Sequence, residues 1–499
     1  MKKTIKKLLI ANRGEIARRI QTTCQALGIK TVAIYAHEDR FLSYTCHADQ
    51  AYKLPQDGAQ GYLDQEAIVV IAKKSGADAI HPGYGFLAEN GSFAQFVIDN
   101  GLTWVGPTPR NISLLADKAK AHKIMREAGI PTIPGKSFDS SDHKSRENAK
   151  YTALIIGFPA LLKCAHGGGG KGMRLVKSIE EFDSAWDLVV SESKKLFSSH
   201  TIVVEKQIEK PRHIEVQIAG DGQEIIHMYE RECSVQRRHQ KIIEESPCCF
   251  INRQTKQKLY DAAIRAARAV NYQNIGTVEF LVDQHENFYF LEMNTRLQVE
   301  HSVTEITTKI DLVELQIQLA SGKALPYFQD EIKQLGHAIE CRIYSENPEQ
   351  NFAPSTGEIT NLILPKNPFL RIDHDLHEGV EITPNFDPMI AKFTSHGIHR
   401  EKSIQNMISS LEKTNFFGID TNVSFLKNIL ESDVFKSGLI HTQHKLNIKN
   451  TTKTIMEKNQ EKLIDAIKTG IKNTNSQSDR PKSPRGPRPP SRWRNQRWG

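Results

Sequence analysis

The sequence lacks any stretch approaching the twenty or so consecutive apolar residues that a membrane-spanning helix needs. Near the N-terminus the apolar run is only LLIA, residues 8–11, too brief for a secretory h-region, so a cytoplasmic protein without membrane insertion is expected. The seven cysteines (24, 46, 164, 233, 248, 249 and 341) are odd in number and have no CxxC spacing. That argues against a disulfide framework and against a zinc site, and for reduced thiols. The Gly-containing turn after the first strand is not GxGxxG, and the later glycine run is not GxxxxGK[ST], so neither a dinucleotide fingerprint nor a P-loop is present. Internal repeats are missing as well. The body of the chain also lacks net charge. Residues 451–499 hold 12 Lys+Arg and 4 Asp+Glu, which accounts for the whole formal charge of +8.

The remainder reads as α/β. A lysine-flanked strand runs into Arg13-Gly14-Glu15, a helical pattern follows through Leu27, Gly28 closes it, and 31–36 (TVAIYA) is the next strand. Strand–turn–helix–strand alternation argues a parallel α/β unit. Residues 77–90 repeat the pattern and end in a Gly/Pro loop, HPGYGF, and LTWVGPT (102–108) adds a strand and turn. Such a loop at a strand's C-terminal end can line a ligand crevice, although a structural turn explains it equally well. Residues 116–131 read as one basic helix, and a strand ending at Lys163 precedes four glycines, Gly167 to Gly170, then Lys171. Backbone N–H groups in a glycine run can approach phosphate oxygens without Cβ clashes. A plain linker is the competing explanation, but the flanks are strand-like and cationic. Residues 201–246 read as successive strands with a hairpin at Asp221-Gly222, ending in the basic cluster QRRHQK (236–241); helices are expected over 254–270 and 310–321. Residues 336–441 read as a separate β-rich unit with a terminal helical part, and 480–499 is Pro/Arg-rich and expected to be disordered.

The densest chemistry lies in 278–301, VEFLVDQHENFYFLEMNTRLQVEH. Two β-rich runs flank a polar segment, the pattern of a hairpin. A turn centred between His285 and Glu286 sets Glu279 directly opposite Glu292. Opposed residues have Cβ atoms about 4.5–5.5 Å apart, where like charges are destabilising. A divalent cation removes that penalty, and hard cations take carboxylate oxygens. Beyond the pair, Glu292, Asn294, Arg296, Gln298 and Glu300 recur at every second position and, in extended chain, would share one face. That face is too polar for a core and reads as a metal and anion site; a solvated edge strand is the plain alternative.

At this point the sequence resembles a known family. ANRGEIARRI, HPGYGFLAEN, GGGGKGMR, ERECSVQRRHQKIIEE, FLEMNTRLQVEH, HAIECRIYSE and GIDTNVSFL are similar to segments of biotin carboxylase, the ATP-grasp component of acetyl-CoA carboxylase and of related acyl-CoA and pyruvate carboxylases. The similarity runs from about Lys7 to about Ile440. It implies an α/β ATP-grasp fold with a Rossmann-like N-terminal domain (1–115), an ATP-grasp domain (116–330) whose glycine lid covers about 132–204, and a mixed C-terminal domain (334–442), followed by a basic tail (450–499). Other ATP-grasp ligases share the lid and the carboxylate pair but do not explain RRHQK together with RLQVEH and ECRIY.

The resemblance also implies residue roles. ATP phosphates would meet Lys118, Lys163, Gly169 and Gly170, and the adenine would meet Glu205, Lys206, Gln207 and Ile208, with His213, Gln236 and His239 nearby. Glu279, Glu292 and Asn294 would hold Mg²⁺ or Mn²⁺. Arg296, Gln298, Val299 and Lys241 would face bicarbonate, Glu300 would be the general base, Arg342 would stabilise the enolate-like ureido group of biotin, and Tyr84 would lie by the biotin pocket. Bicarbonate is a poor carboxyl donor until ATP phosphorylates it, and joining two anions needs cationic screening. The implied reaction is the first half-reaction of an acetyl-CoA carboxylase-type complex, with a pyruvate or other acyl-CoA carboxylase as the alternative. Partners would be carboxyltransferase subunits, a second copy in a homodimer and, because no AMKM-type biotinylation sequence occurs, a separate biotin carboxyl carrier protein. The tail could meet nucleic acid or an acidic partner, or be a solvated extension. Departures from the family pattern are Cys164-Ala165-His166, Lys171, and Ser302 where proline is usual.

Overall fold

The computed structural model describes residues 4–164, 172–197 and 200–446; the glycine run with Gly169, Gly170, His166 and Lys171, and the tail, lie outside the described residues. Among the described residues no helix is long and apolar enough to cross a membrane.

The N-terminal alternation forms a five-stranded sheet: β1 (Lys7–Ile10), β2 (Lys30–Tyr35), β3 (Gln50–Lys53), β4 (Ala79–His81) and β5 (Thr103–Trp104), in the order β3-β2-β1-β4-β5 and all parallel. Leu8, Leu9, Ile10, Val32 and Ile34 are fully buried, the continuous apolar run that a strand covered on both faces needs. The turn after β1 is stitched to the turn after β4 by Asn12, whose Nδ2 donates to the carbonyls of Pro82 (2.8 Å) and Tyr84 (2.6 Å). Gly83 permits that approach: its φ is +64°, and a Cβ there would sit 2.8 Å from the same nitrogen.

A second sheet contains β6 (Gly135–Asp139), β7 (Ala160–Cys164), β8 (Met173–Val176) and β9 (Thr201–Lys206), antiparallel in the order β6-β9-β7-β8. The third is the largest, with β10 (Arg212–Asp221), β11 (Ile225–Arg237), β12 (Gln240–Ser246), β13 (Gln273–Val282), β14 (Phe288–Asn294), β15 (His337–Tyr344), β16 (Leu370–His374) and β17 (Met389–Gly397). Its antiparallel order is β14-β13-β10-β11-β12-β15-β17-β16. Where the sequence suggested a separate β-rich unit after residue 336, β15, β17 and β16 instead extend the sheet that begins at β10, and the chain to Leu446 packs as one compact unit.

Several local expectations change. The single basic helix expected over 116–131 is two helices, Pro109–Ala116 and Lys118–Glu127, because the Asp117 side chain accepts from Lys120 N and caps the second. That break sets Lys118 at the first helical position. The expected helix 310–321 is Leu312–Ala320, and a further helix, His301–Thr308, precedes it. Helix Arg253–Ala269 covers one face of the large sheet and helices His301–Thr308 and Leu312–Ala320 cover the other. A charged side chain inside those strands is therefore cut off from water and must be paired.

Candidate active site

Glu279 and Glu292 are direct partners across β13 and β14, as the sequence suggested, but by another route. Val282 pairs Phe288 and Phe280 pairs Phe290, which centres the turn on His285, one half-step from the expected position. A one-residue bulge at Leu291 shifts the register and brings Glu292 opposite Glu279. The carbonyl of Leu291 accepts from His122 Nε2 at 3.1 Å. The extended face expected from Glu292 to Glu300 ends at Asn294, where β14 stops; irregular chain carries the rest to the helix at His301. The side chains still converge. Asn294 Nδ2 and Gln298 Nε2 both donate to Glu279 Oε1, at 2.8 and 3.2 Å, and Arg296 donates to Gln298 Oε1 and Asn294 Oδ1.

Lys241 is the centre of the arrangement. It follows a two-residue turn between β11 and β12, where Arg238 (φ +51°) and His239 (φ +66°) adopt the left-handed conformation that such tight hairpins require. Its ammonium donates to Glu215 Oε2 (2.5 Å), Glu279 Oε1 (2.8 Å) and Glu300 Oε1 (2.8 Å), so each of its three protons is used. Glu215 is held further by the fully buried Arg231, whose Nε donates to Oε1 at 2.5 Å. The second oxygen of Glu300 accepts from Arg342 NH2 at 3.0 Å, and Arg342 Nε donates to Glu244 Oε1 at 2.6 Å. Burial alone would raise the Glu300 carboxyl, but Lys241, Arg342 and Arg231 hold it well below the usual carboxylate range. For Glu279 the same opposition ends in a lowered value through Lys241 and His213, whose Nε2 lies 2.9 Å from Oε2. Both are carboxylates at neutral pH.

The remaining candidates divide into two groups. Gln236 Nε2 lies 2.9 Å from His213 Nδ1 and ties that imidazole to the hub. Lys118 Nζ is 3.0 Å from Glu292 Oε2, and its raised pKa comes first from Glu292, with Glu279 and Glu205 adding to it. Lys163 pairs with Glu205 at 2.6 Å across the second sheet. Lys206 and Gln207 spend their side-chain donors on backbone, Lys206 on the carbonyls of Gly157 (3.3 Å) and Phe158 (2.8 Å) and Gln207 on Ile208 O (3.0 Å). Ile208 is buried, and His239 is exposed at its turn. In the basic cluster before Lys241, Arg237 pairs with the buried Glu346 at 2.5 Å and Arg238 donates to Asn351 Oδ1 at 2.8 Å. Those two arginines dock the hairpin rather than point at the hub.

A cavity of about 490 Å³ opens beside the hub, with Tyr84, Arg296, Val299 and Arg342 in its wall together with Glu15 and Phe386. Composition or motif reading did not single out Glu15, Glu215, Arg231, Glu244 or Lys392, although each stands in an apolar or strand-forming run, as in HIEVQIAG and MIAKF. A charge in such a run is the signal that could have found them. Ser302, the departure from proline, is fully buried; its hydroxyl contacts Glu340 Oε2 and lies 2.6 Å from Thr394 Oγ1.

The oxygen-rich set Glu279, Glu292 and Asn294 suits a hard divalent cation. Here Lys241, His213 and Lys118 balance the two opposed carboxylates. His213, Glu215 and Glu279 also offer ligand atoms within 4.8 Å of one another, but Lys241 and Arg231 already neutralise Glu215.

Comparison with known proteins agrees with this geometry. Family models match residues 4–112 (biotin carboxylase, N-terminal domain), 117–328 (carbamoyl-phosphate synthase L chain, ATP binding domain) and 340–444 (biotin carboxylase C-terminal domain). The chain is 45% identical over 435 residues to a biotin carboxylase of Halalkalibacterium halodurans, covering 87% of this chain and 95% of that one. It is 43% identical to the mitochondrial methylcrotonoyl-CoA carboxylase subunit alpha of Rattus norvegicus, covering 91% of this chain but 64% of that protein. Among solved structures, the biotin carboxylase–β,γ-ATP complex of Campylobacter jejuni superposes with a TM-score of 0.83 at 40% identity, over 88% of this chain and 98% of that one. The biotin carboxylase domain dimer of Hydrogenobacter thermophilus 2-oxoglutarate carboxylase, with MgADP, ADP and bicarbonate, has a TM-score of 0.83 at 41% identity, over 88% and 97%. With an ATP-grasp architecture and relatives of this similarity along almost the whole described chain, the protein belongs to the biotin carboxylase family of ATP-dependent ligases.

Proposed function

We propose that the chain carboxylates biotin held on a separate carrier protein, using ATP and bicarbonate, and that the Lys241 hub is where bicarbonate is activated. The observation that carries the reading is Glu300: fully buried, ionised, and shared between Lys241 and Arg342 at the wall of a cavity. As a bicarbonate oxygen attacks the γ-phosphorus of ATP and ADP leaves, Glu300 accepts the bicarbonate proton, while Lys241 and Arg296, with Gln298 and the Val299 peptide, hold the anion. The contact with Arg342 yields when substrate enters, which frees that guanidinium for the ureido oxygen of biotin; Tyr84 borders the same cavity. Lys118 and Lys163, with Gly169 and Gly170 of the glycine run, contact the ATP phosphates. Glu205 to Ile208 line the adenine side, with His213, Gln236 and His239 nearby. Mg²⁺ or Mn²⁺ on Glu279, Glu292 and Asn294 screens the phosphate charge.

Support for the metal, nucleotide and bicarbonate is the H. thermophilus domain described with MgADP and bicarbonate, and the same structure's dimer supports a homodimer here. The division into 1–115, 116–330 and 334–442 is proposed on the three segment matches. For the parent complex we favour an acetyl-CoA carboxylase type, which would place the protein in cytoplasmic fatty acid synthesis with a carboxyltransferase. The support is coverage of 95% of a curated biotin carboxylase, against 60–64% of the methylcrotonoyl-CoA carboxylase alpha subunits. Formation of malonyl-CoA on reconstitution with carrier and carboxyltransferase tests the complex; carboxylation of pyruvate or methylcrotonoyl-CoA instead redirects it. For the base, Glu300→Ala is expected to lower bicarbonate-dependent ADP release at least 100-fold while MgADP still binds. Retained turnover in that variant rejects Glu300 as the proton acceptor.

A further inference from the structure

Lys392 is a fully buried cation to which neither motif nor proposed chemistry gives a task. It lies on β17 directly opposite Arg342 on β15 and directly opposite Asp373 on β16, so acid, lysine and arginine form one row across the sheet. Two cations opposed on neighbouring strands repel, and burial of an ammonium is costly. Acids offset this: Lys392 Nζ lies 3.5 Å from Glu15 Oε1, and Glu340 and Asp373 favour its charged form as well. Its hydrogen bond, however, goes to the Val299 carbonyl at 2.7 Å. Val299 precedes Glu300, whose Oε2 is held by Arg342 from the neighbouring position of the same row. Two adjacent cations of one sheet therefore grip two successive residues, one by its peptide oxygen and the other by its carboxylate.

That stretch of chain needs an external hold. From Asn294 to the helix at His301 there is no strand pairing to fix the backbone, and Lys392 acts on it from a sheet anchored on both sides. Glu15 links the same ammonium to the cavity: its Oε1 accepts from the Tyr84 hydroxyl, and its buried Oε2 has no partner.

We propose that Lys392 is a positioning residue of the carboxylation site, which fixes the Val299–Glu300 peptide so that the Glu300 carboxylate meets Lys241 and the bicarbonate subsite. The proposal rests on the reading of Glu300 as the base. The test compares wild type, Lys392→Met, the charge-balanced double variant Glu15→Gln/Lys392→Met and Glu300→Ala. The readouts are melting temperature, its rise on adding bicarbonate without nucleotide, calorimetric MgADP affinity, and kcat and KM for bicarbonate in ADP release. In whichever Lys392 variant folds, KM for bicarbonate is expected to rise at least ten-fold and the bicarbonate-induced melting shift to disappear, with MgADP affinity within two-fold of wild type. A folded variant with wild-type bicarbonate kinetics overturns the proposal. So does one that loses MgADP and bicarbonate in parallel, and so does failure of both variants to fold, since each assigns Lys392 to structure alone. Wild-type turnover in Glu300→Ala removes the base reading itself, whereas a dead Glu300→Ala beside unaffected Lys392 variants removes only the role of Lys392.

Discussion

A single ammonium decides the charge state of the site. Lys241 is buried, which alone would lower its pKa, but Glu215, Glu279 and Glu300 drive it far up, so it stays charged and keeps the three carboxylates close together. Residue types here were legible before any fold was known, because Glu279, Glu292, Asn294, Arg296, Gln298 and Glu300 cannot form a core. The partners Glu215 and Arg231 were not, because their meaning depends on a sheet covered on both faces. Ser302 shows the same dependence. Its hydroxyl is a neutral feature in sequence, yet it contacts the buried Glu340, whose other link on that oxygen is Thr394 at 3.3 Å. Ser302→Ala is expected to cost about 1–3 kcal/mol, the penalty of an under-satisfied buried acceptor. Chemical denaturation checks it, and an unchanged midpoint contradicts the assignment.

Elements place those residues by small irregularities that propensity does not reveal. The hairpin of β13 and β14 was readable from its apolar alternation, and so was the Glu279–Glu292 pair, but the turn and the bulge at Leu291 each differ from a regular register and cancel at the carboxylates. The break at Asp117 likewise turns one expected helix into two and aims Lys118 at Glu292. The β11–β12 hairpin carries Lys241 and is docked at its tip by Arg237, which pairs with Glu346 and stacks 4.1 Å over Phe352. Because that pair is largely buried, Arg237→Ala leaves Glu346 uncompensated and is expected to destabilise by about 3 kcal/mol. Arg237→Met with Glu346→Leu is expected to recover most of that loss. A double-mutant cycle on denaturation midpoints measures it, and a coupling near zero shows that the hairpin is held by other contacts.

At the scale of the whole molecule, the parallel N-terminal sheet was evident from alternation, whereas the union of central and C-terminal strands in one sheet was not, since strand order across a hundred residues leaves no periodic trace. That union sets Arg342 and Lys392 beside Glu300, and it buries acids that set the pH response. Burial raises Glu15 to about 7 and Glu244 to about 8, with Lys392 and Arg342 respectively opposing the rise. A carboxyl raised on folding binds more protons folded than unfolded, so stability falls as pH rises from about 5 to about 8 through these two groups. Glu279 and Glu300 act oppositely: their lowered values stabilise above the unfolded carboxyl pKa of about 4.3, and that contribution is lost in acid below it. Melting temperature is therefore expected to be highest near pH 5 and to decline towards pH 8, with a shallower decline in Glu244→Gln; a flat profile for wild type contradicts the assignment.

The central claim, that the Lys241 hub activates bicarbonate for transfer to biotin, is tested most directly by ADP release from ATP and Mg²⁺ with bicarbonate and free biotin each present or omitted. The account predicts release that requires bicarbonate and rises when biotin is added. Release indifferent to both would leave the ATP-grasp fold in place and contradict the carboxylation reading.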